Sequence, residues 1–84
     1  MNKPAVITYR NRAYANGTVR CGNKEGVWKY YDRKDRLIKR INFQEGKFHG
    51  EKIIWYKTGK KKSTEFYKAG QLDGTASRWT PDGD

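Results

Sequence analysis

Short apolar runs alternate with polar, glycine-containing breaks along the whole chain. Val27-Trp28-Lys29-Tyr30-Tyr31 and Glu51-Lys52-Ile53-Ile54-Trp55-Tyr56 are rich in aromatic and branched residues, which suit the pleated surface of a β-strand. Residues 37–43 and 61–67 read as the corresponding return strands. Along the first of these, Leu37, Ile41 and Phe43 fall on one face while Arg40 and Asn42 point the other way. Residues 32–36 and 57–60 read as the turns between outgoing and return strands. Gly59 and Gly83 enter the left-handed conformation at little cost, and Asp35 is among the few other residues that tolerate it. No window sustains an apolar period of 3.6 residues, so little or no helix is expected.

The pattern recurs. Gly22-Asn23-Lys24-Glu25-Gly26, Gly46-Lys47-Phe48-His49-Gly50 and Gly70-Gln71-Leu72-Asp73-Gly74 share the form Gly-x-x-x-Gly at a spacing of 24 residues. In that register Ile7, Tyr31, Trp55 and Trp79 align, as do Val19, Phe43 and Tyr67, and Asp35, Gly59 and Gly83. The chain therefore reads as one domain over residues 1–84, with repeats of about 2–25, 26–49 and 50–73 and a partial one at 74–84. One hairpin cannot bury its own apolar face, and neighbouring hairpins can. The expected fold is all-β: consecutive β-hairpin repeats in one elongated, twisted antiparallel sheet. The aligned large residues share odd numbers, so that face is expected to be the core. Trp28, Tyr30, Ile54 and Tyr56 are then expected on the exposed face.

Composition qualifies this picture. The chain has 84 residues, only 35% of them hydrophobic, and its mean hydropathy is −1.14, values that lean toward disorder. Aromatic residues make up 14%, and large rings bury much apolar area each, so a folded domain with a thin aromatic core is expected. The formal charge of +10 is uneven: +4 over residues 1–27, +8 over 28–62 and −2 over 63–84. The middle of the chain is thus the electropositive region, suited to an anionic partner. Cys21 is the single cysteine, which excludes an internal disulfide and fits a reducing compartment. The apolar run Ala5-Val6-Ile7 is too short for a signal-peptide core or a membrane span, so a cytoplasmic location is expected.

Gly26-Val27-Trp28-Lys29-Tyr30-Tyr31, the turn Lys57-Thr58-Gly59-Lys60-Lys61, and Phe66-Tyr67-Lys68-Ala69-Gly70-Gln71-Leu72-Asp73-Gly74 resemble the MORN-type repeat. More narrowly, they resemble the bacterial variant found in YwqK-type antitoxins. The resemblance spans residues 22–83 well and 2–21 weakly. It implies consecutive hairpins in a single extended sheet and a role in protein–protein contact, with phospholipid binding proposed for some eukaryotic members. The chain departs from the family pattern in Asp35, which replaces a turn glycine, in its short array and in its basic excess.

Catalysis finds little support. His49, the single histidine, occupies a turn position whose counterparts are Glu25 and Asp73, as a polar turn residue would. Cys21 and His49 would pair only across repeats and without a third orienting group, and a lone cysteine usually behaves as a small buried hydrophobe. One Cys and one His do not make a zinc site. Gly59-Lys60-Lys61-Lys62-Ser63 resembles the end of a phosphate-binding loop, but Ile54 stands where that loop needs glycine. No enzyme activity, metal or cofactor is expected.

Two features point to binding. Arg33, Lys34 and Arg36 occupy one turn, and Lys57, Lys60, Lys61 and Lys62 the equivalent turn of the next repeat, so both are expected on one edge of the sheet as a positive patch. The alternative is that these lysines only keep the sheet soluble and block edge-to-edge pairing. Trp28, Tyr30 and Tyr56, if exposed beside lysines, would anchor a protein interface or stack on bases; alternatively the sheet curls or dimerises over them. The expected function is a non-catalytic protein-binding module of antitoxin, immunity or inhibitor type that engages an acidic protein surface. Nucleic-acid binding through the same patch is the alternative. Membrane association would be weak without an amphipathic helix or lipidation signal. A homodimer through a sheet edge or the aromatic face is also open.

Overall fold

The computed structural model of the protein describes residues 2–81. They form eight strands in one antiparallel sheet: β1 (Asn2–Thr8), β2 (Tyr14–Arg20), β3 (Asn23–Tyr31), β4 (Leu37–Gln44), β5 (Lys47–Trp55), β6 (Lys61–Lys68), β7 (Gln71–Leu72) and β8 (Ser77–Arg78). Sheet order follows chain order from β1 to β7, and the short β8 pairs with β6 beside β7. The molecule measures 42 × 33 × 15 Å, a slab one backbone layer thick. Among the described residues there is no helix, as the missing 3.6-residue period implies. None is therefore long and apolar enough to cross a membrane.

Two kinds of turn alternate along the sheet. At one end, Cys21-Gly22, Glu45-Gly46 and Ala69-Gly70 are two-residue turns with both central residues at positive φ. This left-handed geometry matches the twist of the flanking strands and is why glycine stands second in each. At the other end the loops have three residues. The N–H groups of Arg12, Asp35 and Gly59 donate to the carbonyls of Tyr9, Asp32 and Tyr56, and each of those three residues donates to the residue four places on. Arg12 (φ 67°), Asp35 (φ 64°) and Gly59 (φ 93°) close these loops in the left-handed region, so Asp35 does take the conformation its position requires. Gly83 lies outside the described residues.

Neighbouring hairpins are also tied turn to strand. The N–H of Gly46 donates to the Lys24 carbonyl at 3.0 Å, and that of Gly70 to the Phe48 carbonyl at 2.8 Å. The preceding amides, of Glu45 and Ala69, are received by side chains: Glu25 Oε1 at 3.1 Å and His49 Nδ1 at 3.3 Å.

The core does not follow a single parity. A two-residue turn pairs residue i with i+3, so partners across it have opposite parity, as in Ala15↔Tyr30 and Lys39↔Ile54. A three-residue loop alone would preserve parity, and in β1–β2 it does (Ile7↔Ala15). In β3–β4 and β5–β6 a bulge beyond the loop reverses it, giving Trp28↔Ile41 and Ile54↔Ser63. One face thus collects Ala15, Trp28, Tyr30, Ile41, Phe43, Phe48 and Ile54, while Tyr31 and Trp55 lie on the other. The expectation that Trp28, Tyr30, Ile54 and Tyr56 form the exposed face is wrong for this reason. Trp28 is fully buried, and the other three are half-buried. The same bulge breaks the alternation before Leu37, which pairs with Tyr31.

Trp28 is the centre of the core, with Ala15, Ile41 and Phe43 buried around it and Ala5, Ile7, Val19, Tyr30 and Phe48 packed against them. Its indole lies on Gly17, and its Nε1–H donates to the Thr18 carbonyl at 2.9 Å. A single sheet has no second layer to cover such a face, and lysines supply part of the cover. Lys24 Nζ sits 5.2 Å from the rings of both Trp28 and Phe43, and Lys52 Nζ 5.1 Å from that of Phe48. Their stems lie across apolar surface while the ammonium groups meet ring faces and water. On the reverse face Ile53 is buried between Arg40 and Thr64, and Arg40 reaches over Trp55 and pairs with Glu51 at 2.9 Å.

Candidate functional site

The three-residue loops stand side by side at one end of the sheet, and each places a cation at its first position: Arg10, Arg33 and Lys57. Lys34 follows Arg33, and Arg12 takes the left-handed closing position of its own loop. A groove between the first two loops is lined by Arg10, Asn11, Arg12, Arg33 and Lys34. A second touches all three loops, through Asn11, Arg33 and Lys57, and includes Asp32 and Arg36. The structure therefore brings Arg33, Lys34, Arg36 and Lys57 together on one edge, as expected, and extends that edge through Arg10 and Arg12.

The charges on this edge are not equivalent. Asp32 accepts from the amides of Lys34 at 2.9 Å and Arg36 at 3.0 Å, and its other oxygen takes the Arg36 guanidinium at 2.8 Å. The Arg36 amide is the main cause holding the Asp32 carboxyl below its ordinary value of 3.8, against a smaller opposing push from desolvation. Arg36 is thus engaged within its own turn. Arg10, Arg12, Arg33, Lys34, Lys57 and Lys60 form no ion pair with any described residue. Beneath the loops Tyr14 and Tyr31 stack at 4.9 Å, and burial, with Asp35 adding to it, pushes the Tyr14 phenol up.

The remaining expected residues are placed differently. Lys60, Lys61 and Lys62 are all exposed beside the third loop, and Lys62 holds its ammonium 5.7 Å from the Tyr56 ring. Trp28 lies in the core. Tyr30 lies under Lys24 and Lys39, and Tyr56 donates its hydroxyl to the Trp79 carbonyl at 2.8 Å. None of these three rings is the open anchor that the sequence suggested.

Arg10 and Arg12 were missed for a simple reason. Arg12 precedes Asp35 by 23 residues, one short of the spacing that aligns the later loops, so the first loop falls out of register. Asn11, which accepts from the Ala13 amide at 3.0 Å, was the signal that could have found it. Cys21 is exposed at the first position of its turn, not buried as a lone cysteine usually is. Among the described residues no three His, Cys, Asp or Glu side chains come close enough to hold a metal ion. Comparison with protein-family models, with curated proteins and with solved structures finds no match.

Proposed function

We propose that the chain is a non-catalytic protein-binding module of antitoxin, immunity or inhibitor type, and that it docks an acidic protein surface on its row of basic turns. The observation that supports this reading is the alignment of Arg10, Arg33 and Lys57 at matching loop positions, flanked by cations without ion pairs. Cations held on short hydrogen-bonded loops present fixed charge, which steers encounter with an acidic surface and sets its register. A MORN-type reading is compatible with the chain of hairpins and with the glycine pattern of the turns, and that family resemblance supports protein contact. The nucleic-acid alternative draws less support, because Trp28 is buried and unavailable for base stacking.

The test is affinity purification of the tagged protein from its native host after nuclease treatment, followed by binding of the recovered partner to a triple variant. Arg33→Glu, Lys34→Glu and Lys57→Glu together are expected to abolish a near-stoichiometric association. Unchanged binding by that variant, or recovery of nuclease-sensitive nucleic acid alone, overturns the proposal.

A further inference from the structure

A separate hollow lies on the Trp28 face, across the sheet from β1, where β6 meets β8. Ser63 stands in its wall, opposite Ile54 on one side and Arg78 on the other. Ser63 is only 8% exposed as a whole residue, and its hydroxyl makes no hydrogen bond with any described residue. The hydroxyl still meets solvent in the hollow, whereas the sealed and unpartnered side-chain oxygen among the described residues is Thr64 Oγ1, on the opposite face. A ligand in the hollow would take the place of water at the Ser63 hydroxyl.

The charges around Ser63 favour an anion. The carboxylate in the hollow, Glu65, already has two partners: Lys52 Nζ at 3.7 Å and the Tyr67 hydroxyl, which donates to it at 3.3 Å. Lys62 and Arg78 also line the hollow, and neither forms an ion pair with a described residue. Two cations without an ion pair and a hydroxyl therefore line one hollow, whose single carboxylate is already engaged. The guanidinium suits a planar or tetrahedral oxyanion, to which it can offer two parallel N–H groups.

The rest of the wall is apolar and held in place. The Tyr56 hydroxyl is fixed on the Trp79 carbonyl at 2.8 Å, and the Trp79 amide donates to the Lys62 carbonyl at 3.0 Å. Ile54 and these two rings give a firm surface for a flat or branched body. We infer that this hollow binds an oxyanion, a carboxylate or a phosphate, carried on an apolar body, with Arg78, Lys62 and Ser63 on the charged group. The site is distinct from the basic turns, and its ligand need not be the partner that those turns engage.

The experiment is an NMR titration of the ¹⁵N-labelled protein with benzoate and with phenyl phosphate. Benzyl alcohol supplies the body without the charge, and inorganic phosphate the charge without the body. Saturable shifts are expected at the Trp79 indole N–H and at the amides of Ser63 and Arg78, with both controls weaker. The tighter of the two ligands identifies the oxyanion. Arg78 is exposed, so Arg78→Gln tests the charge without touching the core, and it should weaken binding about tenfold. Ser63→Ala should weaken it severalfold, while Lys60→Glu should leave it unchanged. Shifts that do not saturate, that centre on Arg10, Arg33 and Lys57, or that persist equally in Arg78→Gln overturn the inference.

Discussion

The indole of Trp28 rests on the bare backbone of Gly17, so closely that a Cβ at residue 17 would clash with the ring. Gly17 sits where the pairing of β2 with β3 shifts register, between Asn16 and Thr18. Its missing side chain makes the bed in which Trp28, the one fully buried large residue among the described residues, lies, and Thr18 beside it accepts the indole N–H. Gly17→Ala should therefore lift the ring and destabilise the protein by about 1–3 kcal/mol, as overpacking does. Trp28→Ala should cost about 3–5 kcal/mol, much of what a domain this small has. Urea unfolding followed by far-ultraviolet circular dichroism measures both. A Gly17→Ala protein of unchanged midpoint would show that the ring has room to move.

Ala69 holds a left-handed conformation (φ 50°) at the first position of its two-residue turn, where a Cβ is unfavourable. Asn suits that position in such turns, so Ala69→Asn should stabilise the protein by about 0.5–1 kcal/mol. Ala69→Val should do the opposite. The thermal midpoints of the two variants are expected to bracket that of the parent.

Asp32 links stability to acid. Its folded-state carboxyl titrates below its ordinary value of 3.8, with the Arg36 amide the main cause. A depressed carboxylate contributes stability that is present above the unfolded value and is lost as pH falls through the folded one. The loss should thus fall below pH 3.8, within the acid limb. Asp32→Asn keeps an acceptor for the amides but has no charge to lose. It should be less stable than the parent at neutral pH and show a shallower decline in that window. Urea midpoints measured from neutral pH down through the acid limb give the comparison.

His49 accepts the Ala69 amide through Nδ1, in the role that Glu25 plays for Glu45 one hairpin earlier. The role asks for an acceptor and not for an imidazole. His49→Glu should therefore be close to neutral, and His49→Ala should cost about 0.5–1 kcal/mol for one exposed hydrogen bond. Amide exchange at Ala69 offers a local readout, with protection lost in His49→Ala and kept in His49→Glu.

Much of the fold could be read along the chain, because strands and turns here are local matters. Aromatic and branched runs marked β3 to β6, and Gly22, Gly46 and Gly70 marked the tight turns. Facial assignment was harder, since it depends on adding up loop lengths. Tyr31 and Tyr30 differ by one position, and only the parity switch at the two-residue turns and the bulges places Tyr30 with the core. The basic edge was visible in Arg33, Lys34 and Lys57, while Arg10 and Arg12 were hidden by a loop one residue out of register. The Ser63 hollow had no linear signature at all. It joins residues of β6 to Arg78 and Trp79, which follow a short excursion through β7.

The ordering of the sheet has a consequence for how the molecule comes into being. From β1 to β7 each strand pairs with the one made just before it, and no long-range crossover has to close. Contacts of this kind require little chain to be gathered at once, which favours rapid folding. During synthesis each hairpin can settle against its predecessor while later residues are still inside the ribosome. The turn-to-strand bonds at Gly46 and Gly70 act in this process as ratchet teeth, each engaging only when the next hairpin arrives.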